Sequence, residues 1–224
     1  MWTHGNRIKI LVGHNVSGKT ELALNMARSI HDAGHRTALV DLDIVNPFFR
    51  SAEQGAWLES NGIRLLAPTF ALTAVDIPAL PAEILSVFND RELRVVFDVG
   101  GDDAGAMALG RYNRQFLETG YELIYVVNIF RPRSGSVQEI MDMMQRVSEC
   151  SRLKPTGLIN NSNLGNLTDR KTVEEGHELL QAVARESGLP LLADAAALPG
   201  ILPLSDGTPG FPIERITKPE WMEL

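Results

Sequence analysis

The sequence predicts an α/β protein built on a doubly wound, mainly parallel sheet flanked by helices. Two observations carry this. Short apolar runs alternate with longer helical segments along most of the chain, and such alternation closes into right-handed crossovers. Most of the runs are near-continuously apolar rather than alternating, as strands buried on both faces are.

Taken in order, strands are predicted over residues 8–12, 37–42, 64–67, 95–99, 123–128, 156–160 and 189–193. A helix fits residues 19–33 and stops at Gly34. Ser51 is a candidate cap for a helix ending at Asn61-Gly62. Asp102 and Asp103 are candidate caps for the helix that follows the fourth run. Ser134 or Ser136 caps the next, in which Val137, Ile140, Met144 and Val147 share one face. Asp169 or Thr172 opens the last helix and Gly188 closes it. No repeat or linker divides the chain, so residues 1–205 read as one domain. Residues 206–224 read as an extended, proline-containing tail packed on the body or on a partner.

Composition narrows the function. Apolar residues make up 44% and charged residues 22% of 224 positions, which excludes a disordered or fibrous chain. The apolar runs are too short to cross a membrane, and the polar start of the chain offers no secretory core. A single cysteine, Cys150, excludes an internal disulfide framework. These features predict a cytoplasmic protein. The net charge of −7 gives no general nucleic-acid signal, so any anionic ligand must be held by local devices.

One such device is present. Gly13-His14-Asn15-Val16-Ser17-Gly18-Lys19-Thr20 has the glycine, lysine and hydroxyl spacing of a phosphate-binding loop, and it lies between a predicted strand and a predicted helix. Loop N–H groups and the positive end of the helix dipole cradle phosphate oxygens. Gly13 and Gly18 allow close backbone approach. Lys19 supplies a point charge to the β- and γ-phosphates, and Thr20 a hydroxyl to Mg²⁺.

Acidic residues end the neighbouring strands, as Val40-Asp41-Leu42-Asp43 and Phe97-Asp98-Val99-Gly100-Gly101. Carboxyl ends of strands line the ligand crevice of such sheets, and a carboxylate there is costly unless it meets a cation. The loop, the Asp-x-Asp pair and the Asp-Val-Gly-Gly strand end together resemble the SIMIBI class of P-loop NTPases. The branch it most resembles is the MinD/ParA/CobQ-type nucleotide-binding domain, which includes the nitrogenase iron protein. The resemblance spans roughly residues 7–197. It implies seven or eight strands, with the Asp-x-Asp strand beside the phosphate-loop strand. It further implies that Asp43 orients the attacking water, that Thr20, Asp41 and Asp98 serve Mg²⁺, and that Gly101 senses the γ-phosphate. The chain departs from the branch at one point. A second loop lysine that reaches a dimer partner's nucleotide is often found where His14 stands here, and a neutral imidazole is no substitute for a fixed cation.

Guanine-reading relatives usually carry an Asn/Thr-Lys-x-Asp segment after a late strand, and none is found here. Instead Gly157-Leu158-Ile159-Asn160-Asn161-Ser162 is similar to the iron-protein segment whose Asn meets adenine, by position Asn161. An amide both donates and accepts, which suits adenine N6 and N7. The expected ligands are therefore ATP or ADP with Mg²⁺. The expected function is a slow ATPase switch acting on a client protein or through a homodimer. An ATP-dependent small-molecule ligase or kinase, and a non-hydrolysing regulatory module, remain open alternatives. His177 is expected on a helix surface, and Met141, Met143 and Met144 at a core edge.

Overall fold

In the computed structural model the described residues are 1–43, 54–67, 83–198, 200–204 and 206–217. Ser51 and the segment after Asp43 lie outside them. Eight strands form one sheet: β1 (Ile8–Val12), β2 (Thr37–Leu42), β3 (Arg64–Leu66), β4 (Arg94–Val99), β5 (Glu122–Val127), β6 (Gly157–Asn160), β7 (Leu191–Ala196) and β8 (Gly210–Pro212). Their order is β3-β2-β4-β1-β5-β6-β7-β8, and every pairing is parallel. The eight-stranded α/β sheet is the one expected, with β8 an addition from the tail. Glycine and proline flanking a single Phe211 leave no apolar run there to read. The expected adjacency of the Asp-x-Asp strand to the phosphate-loop strand is not observed, because β4 lies between β2 and β1 and pairs with both.

The helices are α1 (Lys19–Asp32), α2 (Gly55–Ser60), α3 (Glu83–Asn89), α4 (Asp103–Gly110), α5 (Asn113–Thr119), α6 (Val137–Ser151) and α7 (Arg170–Ser187). Strand residues alternate between two cores. Leu11, Leu39, Val96 and Ile124 pack with Leu22, Met26 and Ile30 of α1 and Leu58 of α2. Ile10, Val40, Phe97 and Tyr125 pack with Phe88 of α3, Leu109 of α4, Phe116 of α5, Met144 of α6 and Leu180 of α7. Met141 and Met143 pack at the edge of this second core, as expected. Trp2 closes the first core against Phe211 of β8, edge to face at 5.2 Å.

Helix ends follow local chemistry. Asp102 accepts from the Gly105 amide at 2.9 Å and Ser136 from the Glu139 amide at 3.3 Å. Asp169 and Thr172 form a reciprocal capping box on α7, and Gly188 ends that helix in the left-handed conformation. His177 is not on the surface. It is buried on the stripe Val173–His177–Leu180, where Nδ1 lies 2.9 Å from an Asp194 oxygen. Asp194 takes a second hydrogen bond, 2.8 Å, from Asn160. Burial, only partly offset by these bonds, raises its carboxyl above the usual range.

Candidate nucleotide site

The order of the strands reverses around β1, so the crevice at its carboxyl end is the switch point of the sheet. Residues 13–18 fill it. Gly13 has φ 149°, and a Cβ there would lie 2.3 Å from the Val126 carbonyl oxygen. Gly18 has φ 86° and caps α1 without a side chain, and a Cβ there would meet Asn161 Nδ2 at 2.3 Å. Val16 is also left-handed, φ 56°, with its side chain exposed. The Ser17 amide donates to the His14 carbonyl at 3.2 Å. These contacts leave a loop of backbone wrapped before the first turn of α1.

Lys19 is buried, and its Nζ donates to the His14 carbonyl at 3.0 Å. Burial lowers its pKa, while Asp98, Asp43 and Asp102 pull in the opposite direction. Asp41 and Asp98 are register partners on β2 and β4, and both are almost fully buried. Asp98 is pushed up to about 8, by burial first and then by the charge of Asp41, against a hydrogen bond from Thr20 and the charge of Lys19. Its Oδ2 is buried without a hydrogen-bond partner. Asp43 donates its amide to Asp41 Oδ1 at 2.9 Å. The backbone of Gly100 lies close beside it, since a Cβ on Gly100 would stand 3.1 Å from Asp43 Oδ1.

The structure thus brings Lys19, Thr20, Asp41, Asp43 and Asp98 to one point. Gly101 joins them from the end of β4: a Cβ there would lie 2.4 Å from Asn15 Oδ1 and 2.5 Å from its amide nitrogen. Asn15, Gly18, Lys19, Thr20, Glu21, Asp43 and Thr217 line a cavity of about 130 Å³ over this cluster. The donor set fits a phosphate chain and a hard divalent cation. Oxygen ligands suit Mg²⁺, which is normally shared between one or two carboxylates and phosphates. Among the described residues no group of three His, Cys, Asp or Glu side chains is built to hold a metal alone. A buried Asp98 oxygen and a buried Ser17 hydroxyl without partners are the open valences such ligands would meet.

Asn161 stands on the other side of Gly18. Its Nδ2 donates to the Ser17 carbonyl at 2.7 Å, so the amide braces the loop. It also lines an adjoining cavity of about 300 Å³, with Val16, Gly18, Arg131, Asn163, Thr168 and the turn Ala195–Leu198. Arg131 has a buried Nε without a partner. Sequence reading did not find Glu21 or residues Ile213, Arg215 and Thr217, which also line this cavity. The signal was present as period-two spacing, the mark of an extended chain that shows one face to a ligand.

No protein-family model matches the chain, and no curated protein matches it in sequence. Solved structures do match in shape. The cell division protein FtsY of Thermotoga maritima superposes with a TM-score of 0.55 at 19% identity, over 86% of this chain and 62% of its own. The signal recognition particle receptor FtsY of Elizabethkingia anophelis, in complex with GDP, gives 0.55 at 17%, over 86% and 58%. The signal recognition particle 54 kDa protein of Aeropyrum pernix K1, in complex with GDP, gives 0.53 at 18%, over 84% and 41%. The chain spans about three fifths of the length of the FtsY structures it matches. No helix among the described residues is long and apolar enough to cross a membrane. Strand order, loop and neighbours agree on one conclusion: this chain has the fold of the SIMIBI-class P-loop NTPases.

Proposed function

We propose that the protein binds a Mg²⁺–nucleoside triphosphate at the loop 13–20, hydrolyses it slowly, and acts as a nucleotide-dependent switch on a client protein or a second copy of itself. The observation that carries this is the meeting of Lys19, Thr20 and three strand-end aspartates under a backbone cradle. Residues 13–18 and Lys19 would bind the phosphates, and Gly101 would contact the last of them. Thr20 and Asp98 would hold Mg²⁺, with Asp41 behind them. When bound, Mg²⁺ would supply charge neutralisation to the phosphates. Asp43 would accept a proton from, or orient, the attacking water. His14 leaves the site without a second loop cation, which accounts for the slow rate in this reading.

The base preference we infer is adenine, as in the MinD/ParA branch. Asn161 spends one Nδ2 hydrogen on the Ser17 carbonyl and keeps its carbonyl oxygen, an acceptor suited to the N6 amine. Guanine presents an oxygen at the corresponding position, and residues 161–164 carry no acid to read its other edge. The GDP in two structural neighbours favours guanine as the second reading. Calorimetry with Mg·ATP and Mg·GTP separates them. A dissociation constant near the micromolar range, roughly −8 kcal/mol, is expected for ATP. Lys19→Ala should weaken the triphosphate far more than adenosine. Binding of neither nucleotide to folded protein would end the proposal.

A further inference from the structure

The described end of the chain is fastened along one stripe of α1. Glu21, Asn25 and Arg28 are spaced four and three apart, which places them on one helix face. Asn25 exchanges two hydrogen bonds with the backbone of Glu214, donating to its carbonyl and accepting from its amide, both at 2.8 Å. Arg28 pairs with the Glu214 carboxylate at 2.5 Å. The Glu21 carboxylate accepts from the Ile216 amide, from the Thr217 amide at 3.1 Å and from the Thr217 hydroxyl. On the side away from this stripe, Arg215 donates to Asn166, beyond the base cavity. Residues 213, 215 and 217 face the cavity that Asn161 lines, and Thr217 reaches the phosphate cavity as well.

Glu21 makes this arrangement consequential. It follows Thr20 directly and lines both cavities. Taken up by the two amides and the hydroxyl of the tail, its charge is bound in hydrogen bonds that favour and localise it. We propose that residues 213–217 are the fourth wall of the nucleotide site. They close the base cavity, bring Arg215 and Thr217 to its lining, and fix the Glu21 carboxylate on the tail. The proposal rests on the nucleotide reading above. Docking of this segment and binding of nucleotide then strengthen one another equally, because linkage is reciprocal.

Two measurements test it. In wild-type protein, hydrogen exchange at the Ile216 and Thr217 amides should slow about tenfold on adding Mg·ATP or Mg·GTP, whichever binds, a coupling of ordinary size. In Asn25→Ala, which removes the double clamp on Glu214 and keeps a good helix former, nucleotide affinity should fall about tenfold while the thermal transition persists. Exchange that ignores bound nucleotide overturns the proposal alone. So does unchanged affinity in the folded variant. A wild-type protein that takes up neither nucleotide overturns the phosphate-site reading and this proposal together. The exchange measurement needs no variant and stands if Asn25→Ala fails to fold.

Discussion

Asp41 and Asp98 stand side by side as register partners on adjacent parallel strands, and burial together with the charge of Asp41 raises the Asp98 carboxyl to about 8. Like charges so close and so buried cannot both ionise without a cation. Asp98→Ala should therefore weaken nucleotide binding by about tenfold to a hundredfold when Mg²⁺ is present, the usual cost of losing a metal-site group. In a chelator the variant and the wild type should bind alike. Titrations with and without Mg²⁺ read the difference directly, and an equal loss in both would remove Asp98 from the metal site.

The Asp43 carboxylate lies against Gly100 and lines the phosphate cavity with Lys19 and Thr20. Asp43→Asn should retain nucleotide affinity and lose turnover by about a hundredfold or more, the scale of general-base catalysis. Steady-state phosphate release beside calorimetry separates the two. Turnover that survives the change would assign the water to another group.

The turn after β4 is tightly packed. Gly105 of α4 abuts the Gly100 backbone, where a Cβ would lie 2.4 Å from the Gly100 carbonyl oxygen. A backbone shift at residues 100–101 must therefore reach the start of α4, which is held by the Asp102 cap and by Asp103–Arg146 at 2.7 Å. Exchange over residues 100–111 should slow with a non-hydrolysable triphosphate and not with the diphosphate. Equal protection by both ligands would describe a static site. Gly101→Ala should abolish binding with the fold intact, since its methyl falls on the Asn15 backbone.

Thr168, which lines the cavity beside Asn161, is followed directly by the cap of α7. The Asp169 pKa is lowered, chiefly by the Thr172 hydroxyl and then by the Thr172 amide. A depressed folded-state pKa contributes stability that is present above the ordinary carboxylate value and lost as pH falls through the folded one. Wild type should lose this increment in acid. Asp169→Ala should be less stable near neutrality and converge on wild type at low pH. Thermal melts across that range check the sign, and a gap that widens in acid would contradict it.

The sheet was legible because burial writes itself into sequence, and the loop 13–20 because its residue types stand at fixed spacing between a strand and a helix. β1 and β2 are wholly buried, and their ends coincide with the predicted ones. α3 and α5 were missed. They have seven residues each, and Phe116 is the only buried side chain of α5, too little for a helical period to show. β7 begins two residues later than predicted and runs through Asp194, because Asn160 and His177 hydrogen-bond that carboxylate. His177 looked like surface for the same reason: its partners are far away in sequence. Lys19, Thr20 and Asn161 could be placed from local motif, whereas Glu21 gains its role from residues nearly two hundred positions on.

Trp2 is buried at 4% exposure against Phe211, two residues before the segment that α1 clamps. An indole in so dry a setting emits at short wavelength, and contact with water shifts it to the red. Among the described residues, Trp2 is the tryptophan in ring contact with β8. With Trp57 and Trp221 replaced by phenylalanine, the remaining indole becomes an optical gauge of whether β8 is seated.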